Sequence, residues 1–285
     1  MSGRIQLSIG DIGLALVPAG ADCRFKVEER FRPFLGDGQP DVVLRVHCGR
    51  MPDVELGPKV FDTNLGWRLY RGQGAWIVHV RSAEWDPYQL AVLEPDFRGG
   101  EIYVRANDHD PGQYGFPLGR PMGEVFMINL LARGYGLLLH ACGVKVGERG
   151  LLFAGTGGAG KSTMAGLWAG RAGVSILGDD HIIVREREGR FWMYGTPWPG
   201  QGGVFSPEAA PLERIFVLQH AEENRLLPLS PRDAASRLLV RSFATFWDAE
   251  GMAFTAGFLG RLSQAVPCYE LGFLPDERVL DLCDA

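Results

Sequence analysis

The chain has 285 residues, 46% hydrophobic and 22% charged, with a formal net charge of −5. That balance excludes a disordered chain and leaves no basic field for gripping a nucleic-acid backbone. No apolar stretch reaches membrane-spanning length, and the first residues lack the charged-then-apolar order of a secretory leader. The expectation is a cytoplasmic globular protein without a nucleic-acid or membrane partner, one large domain or two modest ones, with a homo-oligomer left open.

Cys23, Cys48, Cys142, Cys268 and Cys283 are odd in number and never form a Cys-x-x-Cys pair. They read as buried thiols rather than as a disulfide framework or a zinc site. His47, His79, His109 and His220 show no ligand spacing and read as structural or surface residues. Of the 29 basic residues only Lys26, Lys59, Lys145 and Lys161 are lysine, so a surviving lysine draws notice.

From the N-terminus to about Arg105 the pattern is short and alternating, as in Trp67-Arg-Leu-Tyr, Ala75-Trp-Ile-Val-His-Val and Glu101-Ile-Tyr-Val-Arg, which is the period of strands. One exception is 22–34, where Phe25, Val27, Phe31 and Phe34 would cover one side of a short helix, although Pro33 argues for an earlier stop. Trp67, Trp76 and Trp85 are expected in the core of this half. Residues 107–121 are dense in Gly, Pro and Asp and read as a connection. The chain therefore divides into a β-rich region, 1–115, accessory or acceptor-recognising, and an α/β domain, 116–285.

In the second part, 123–131 reads as a helix stopped by Gly134 and Gly136, followed by buried strands at 137–144 and 151–154. A helix over 160–172 and a strand over 174–177 complete the order strand, loop, helix, strand of a nucleotide-binding unit. Strands continue at 182–184 and 191–194. Ser230-Pro-Arg-Asp233 caps a helix expected over 231–246.

Gly155-Thr-Gly-Gly-Ala-Gly160-Lys161-Ser162 matches G-x-x-x-x-G-K-[ST] at every fixed position, between an apolar strand and a helix. Glycines let backbone N–H groups bend around phosphates, Lys161 reaches the β- and γ-phosphates, and the Ser162 hydroxyl can ligate Mg²⁺. Nucleotide binding is thus assigned to Gly155, Thr156, Gly157, Gly158, Ala159, Gly160, Lys161, Ser162 and Thr163, with ATP and Mg²⁺ as cofactors. Asp179-Asp180, at the end of the strand after this helix, can divide the labour: one acid for the metal, the other for the proton of an attacking hydroxyl. His140 ends an apolar run just upstream, where a core role and a proton-relay role are both open. The Gly195–Gly203 stretch with Trp198 is either an acceptor-side loop or a packed connection. Arg214, Arg225 and Arg241 could meet phosphate, but none is assigned as catalytic.

From Leu137 onward the chain resembles the HPr kinase/phosphorylase group and its relative, ATP-dependent phosphoenolpyruvate carboxykinase. The resemblance rests on His140-Ala141, the glycine loop and Ile176-Leu-Gly-Asp179-Asp180-His181, in the family's order. More narrowly it resembles the HPr-kinase-like proteins of peptide-modification clusters, through Gly195-Thr-Pro-Trp-Pro-Gly200 and Pro211-Leu-Glu-Arg-Ile-Phe-Val-Leu218. The resemblance implies a P-loop kinase core of the HPr kinase/carboxykinase type with a mixed sheet, Asp179 as general base toward a serine hydroxyl, Asp180 and Ser162 serving Mg²⁺, and His140 assisting Asp179. Catalysis would fall to Asp179, His140 and Lys161. The glycine- and arginine-containing signature associated with phosphorolysis is replaced by Tyr194-Gly-Thr-Pro-Trp-Pro-Gly, which argues against the reverse reaction and against HPr as acceptor. The leading expectation is a kinase acting on a serine of a peptide or protein. The alternatives are a nucleotide-binding regulator without transfer and a kinase of a small hydroxylated metabolite.

Overall fold

The computed structural model describes residues 3–64, 66–81, 87–107 and 110–284; Trp85 and His109 lie outside them. The chain is an α/β protein whose backbone gathers into two compact units, one ending at Leu130 and the next beginning at Leu131. The division falls after the first α-helix rather than inside the Gly/Pro/Asp-rich stretch. Each unit has its own sheet.

In the first unit, strands β1 (Ile5–Ile9), β2 (Ile12–Pro18), β3 (Val42–Cys48), β4 (Lys59–Asp62), β5 (Trp67–Arg71), β6 (Trp76–Val80), β7 (Gln89–Leu93) and β8 (Gly99–Val104) form one sheet. Its order is β1-β2-β3-β8-β7-β6-β5-β4. The β2–β3 and β3–β8 pairs are parallel and the other pairs antiparallel. A short pair, β9 (Ala106–Asn107) and β10 (Asp110–Tyr114), and helix α1 (Met122–Leu130) complete the unit.

Alternation sorts the faces. Leu44, Val46, Ile102, Val104, Ala91, Val78 and Leu69 are buried on one side, while Arg45, His47, Glu101 and Tyr103 occupy the other. Trp76 is buried against Phe97; Trp67 is half-buried beside Phe61.

Two expectations fail here. The helix over 22–34 is only a 3₁₀ segment, Glu29–Phe34, with Pro33 inside it and Phe31 and Phe34 buried. Proline supplies no N–H for a longer ladder. Cys23 and Cys48 are joined in a disulfide instead of being free thiols. The parallel β2–β3 pairing explains it: Ala19 N–H donates to Val46 C=O, so the segment leaving β2 runs beside the end of β3. Nothing in a separation of 25 residues announces that meeting. Cys142, Cys268 and Cys283 are free and buried, as read.

The second unit is built on β11 (Leu137–Val146), β12 (Arg149–Ala154), β13 (Val174–Gly178), β14 (His181–Arg187), β15 (Arg190–Tyr194), β16 (Ala209–His220), β17 (Arg225–Pro228) and β18 (Cys268–Phe273). β11 is central. Its first half pairs with β14 and its second half lies between β12 and β13. β12, β16 and β18 are mutually parallel neighbours.

Residues alternate between two cores. Leu137, Leu139, Ala141, Leu152 and Ile215 pack with α3 (Pro231–Leu239) and α4 (Ala249–Ala265). Val144, Leu151, Phe153 and Phe216 pack with α2 (Lys161–Trp168) and α5 (Arg278–Asp284). The strand sequences read as unbroken apolar runs because helices cover both faces.

α2 stops earlier than expected: Ala169 is already extended, and Gly170 follows at φ +78°. α3 begins as expected, with Ser230 accepting from Asp233 N–H, but ends at Leu239 rather than 246. The backbone beyond it bonds to β11 instead: His140 N–H donates to Arg241 C=O, and Phe243 N–H to Leu138 C=O. Tertiary ladder bonds outcompete the helix there.

Thiol titration in denaturant without reductant should find the free thiols of Cys142, Cys268 and Cys283 only, and reduction should add two more. Closing the Cys23–Cys48 loop restricts the unfolded chain, so reduction should lower the stability of the first unit by about 2–4 kcal/mol in urea unfolding.

Candidate functional site

β14 resumes β13's antiparallel course along β11 after a gap of two residues. Gly143 faces Gly178 and His140 faces His181, and the residues skipped between are Asp179 and Asp180. The acid pair directly follows the end of β13, as read, and occupies a break in the ladder along β11. Ala141 N–H still donates to Asp180 C=O, 3.0 Å. On β11's other edge Ala141 pairs with Ala154, and Gly155 N–H donates to His140 C=O. The acids and the glycine loop are thus two strand spacings apart, about 10 Å.

The loop turns through Gly158 at φ +76° and Gly160 at φ +99°, the latter capping α2. A Cβ on Gly160 would also lie 2.5 Å from the Phe273 ring, at the end of β18. His220, ending β16, places Nε2 2.8 Å from Gly158 C=O. The ends of the parallel strands beside β12 therefore support the loop from below. His220 reads as a bland residue in the sequence, and only the parallel order of β12, β16 and β18 reveals its place.

Lys161 is buried, and its ammonium donates to the carbonyls of Gly155 and Thr156, 3.1 Å each. Burial lowers its pKa, opposed by the charges of Asp180 and Asp179. Burial pushes the Cys142 thiol far above its ordinary range, with the charge of Asp179 adding to the rise and that of Lys161 opposing it. Lys161, Asp179, Asp180 and Cys142 thus share one electrostatic neighbourhood.

Asp179 is fully buried, and each carboxylate oxygen accepts a backbone N–H at 2.7 Å, Oδ1 from Gly200 and Oδ2 from Gly202. A Cβ at Gly202 would approach Oδ2 to 2.5 Å, so glycine is required for this grip. The Gly195–Gly203 stretch holds the acid, and its Trp198 is buried.

Asp180 meets two imidazoles: Oδ1 lies 2.7 Å from His140 Nε2 and Oδ2 lies 3.0 Å from His181 Nδ1. The resemblance gives His140 to Asp179; the contact is with Asp180. Burial works to raise the Asp180 pKa, but the hydrogen bonds and charges of His140 and His181 override it and hold the carboxyl far below its usual range. Phe243 stacks on His181 at 4.8 Å and tilts against His140 at 5.9 Å, wedging both rings.

Arg241 enters the field of Lys161, donates from Nη1 to Arg237 C=O, and has a buried Nε without an acceptor. Arg214 donates to Cys283 C=O and Arg225 lies beside Glu270, both away from the acids in bonding terms. Lys59 and Lys145 are spent on surface pairs with Asp62 and Glu208. Among the described residues no cluster of three His, Cys, Asp or Glu could hold a metal ion, and no helix is long and apolar enough to cross a membrane.

A β-rich N-terminal sheet followed by a mixed α/β unit with a glycine loop and an acid pair defines the class. The chain belongs to the family described as SynChlorMet cassette protein ScmC, whose model matches residues 122–271, just over half of it. A solved structure of the HPr(Ser) kinase/phosphatase from Coxiella burnetii is similar at 12% identity, over 52% of this chain and 90% of that one, with a TM-score of 0.29. No curated protein matches.

Asp180, with a lowered pKa, contributes stability that is complete above the unfolded carboxyl value near 4 and is lost as pH falls through the lower folded value. Asp180→Asn should therefore flatten the decline of stability below about pH 4 in acid titrations followed by circular dichroism. Gly160→Ala adds a left-handed penalty of about 1–2 kcal/mol to the Phe273 collision, and should lower the melting temperature.

Proposed function

We propose that the chain is an ATP- and Mg²⁺-dependent kinase of the HPr-kinase-like type, with a P-loop at Gly155–Ser162, that transfers the γ-phosphate to a hydroxyl, a serine of a peptide or protein. One observation carries the reading: a buried lysine ammonium, bonded only to loop carbonyls in a turn of glycines, shares its field with an acid pair. A triphosphate would replace those carbonyls as the partner of Lys161, and the loop N–H groups with the α2 N-terminus would hold its oxygens.

Ser162 and Asp180 would hold the metal. The Asp180 carboxylate is kept ionised, as a hard cation prefers, and two protein ligands suit an ion that retains waters and binds phosphate oxygens. Mg²⁺ would neutralise charge on the β- and γ-phosphates. Asp179 is the proposed base: it takes the proton of the acceptor hydroxyl as that oxygen bonds to phosphorus and the bridging bond to ADP breaks. His140 then acts by fixing Asp180. Cytoplasmic location and the absence of nucleic-acid or membrane partners belong to the same proposal.

A second reading is a nucleotide-binding regulator without transfer, favoured by the closed grip of Gly200 and Gly202 on both Asp179 oxygens. Incubation with radiolabelled ATP and candidate peptides separates the two, because a regulator leaves every acceptor unlabelled.

Asp179→Asn should keep ATP affinity within about twofold and reduce transfer by at least 100-fold, on the order of a general base's contribution. Lys161→Ala should weaken nucleotide binding and turnover together; unchanged affinity in calorimetry would remove the P-loop assignment.

A further inference from the structure

The N-terminal sheet has an outer face on which pairing aligns two rows across the strands. His47, Tyr103, Leu90, His79 and Arg68 form one, and Arg45, Glu101, Val92, Ile77 and Tyr70 the other. The edges of these rows are polar: Glu101 bonds the Tyr103 hydroxyl and pairs with His47, and Arg68 pairs with Asp62. Their middle is apolar. Leu90, Ile77 and Tyr70 are buried there, with Met51, Val54 and Leu56 packed on them from the segment between β3 and β4. That segment forms a strap across the sheet.

Between strap and sheet lies an open pocket of about 650 Å³, lined by the apolar Val54, Leu56 and Leu90 and by Arg50, Arg105 and His79. The size falls in the range of pockets that hold organic ligands. Neither arginine forms an ion pair among the described residues, and the one acid of the lining, Asp53, is exposed. In a chain of net charge −5, two guanidinium groups beside one cavity, neither ion-paired among the described residues, favour an anion. Burial and the charge of Arg68 keep the His79 imidazole more readily neutral, so it offers hydrogen bonding rather than a third cation. An inorganic anion or a phosphodiester would leave the apolar lining unused.

We propose that this cavity is a peptide-recognition site that takes an apolar side chain adjacent to a carboxylate, the side chain against Leu56 and Leu90 and the carboxylate on Arg50 and Arg105. The proposal deepens the kinase reading by naming what the acceptor peptide carries, and it rests on that reading for the peptide's role; binding itself is measured without nucleotide.

The test uses the full chain and fluorescence polarisation with fluorescein-Gly-Ser-Gly-Leu-Glu-Leu, its amidated Leu-Gln counterpart, and N-acetyl-leucine as competitor. The acidic peptide should bind at least tenfold more tightly than the neutral one, and Arg50→Gln/Arg105→Gln should erase that preference while Mg-ATP affinity stays unchanged. Displacement of the probe by N-acetyl-leucine at the concentration needed of unlabelled peptide would make the ligand a free carboxylate and overturn the peptide assignment. Absent binding, or equal binding by the double variant, would overturn the site. Should that variant fail to fold, a photo-leucine peptide crosslinked to the wild-type chain must label 51–56, His79 or Leu90, and labelling elsewhere counts against the proposal. Peptide capture by a chain that binds no nucleotide would keep this site and remove the kinase reading.

Discussion

Strand β11 is hydrogen-bonded along both edges, and each functional element of the second unit is hung on one of those edges. Its first half holds β14 on one side and the Arg241–Phe243 segment on the other; its second half holds β13 and β12. At the junction of the halves, His140 and Ala141 bond at once to the glycine loop's first residue, to Asp180 and to Arg241. Shifting this strand by one residue would turn Leu139 and Ala141 out of one core and Cys142 and Val144 out of the other. The register that packs the unit is the register that assembles the site.

Charge in this site is arranged by restraint rather than by burial alone. Asp180 is half-buried and would resist ionisation there, yet two imidazoles wedged by Phe243 hold it ionised. Asp179, one residue earlier, is deeper and is held by backbone N–H groups instead of side chains. Neighbouring carboxylates are thereby given separate environments, which is the usual way in which two identical groups acquire different tasks. Glycine is needed at 160 and at 202 for a shared reason: a side chain would stand where a ring or a carboxylate already lies.

The first unit follows a different logic. Its sheet is nearly all local antiparallel pairing, with two parallel contacts at β3, of which the one with β2 brings Cys23 beside Cys48. One face makes the core and the other carries aromatic, basic and apolar residues beneath the 49–58 strap. A solvated sheet face needs no apolar centre, and here Met51, Val54 and Leu56 of the strap cover it.

The sequence by itself determined the strand class of much of the first unit and the glycine loop with its flanking strands, because hydrophobic period and the fixed positions of a phosphate-binding turn are local properties. Strand, loop, helix and strand from β12 to β13 follow the expected order, with α2 ending at Trp168 instead of 172, and the Ser230 cap stands where the pattern put it. Tertiary structure decided what depends on residues far apart in the chain. It ended α3 at Leu239 by offering its continuation a ladder on β11, and it joined Cys23 to Cys48. It gave His140 to Asp180, Gly200 and Gly202 to Asp179, and His220 to the glycine loop. Each of those choices is a hydrogen bond or covalent bond between strands or loops that only the sheet order brings within reach.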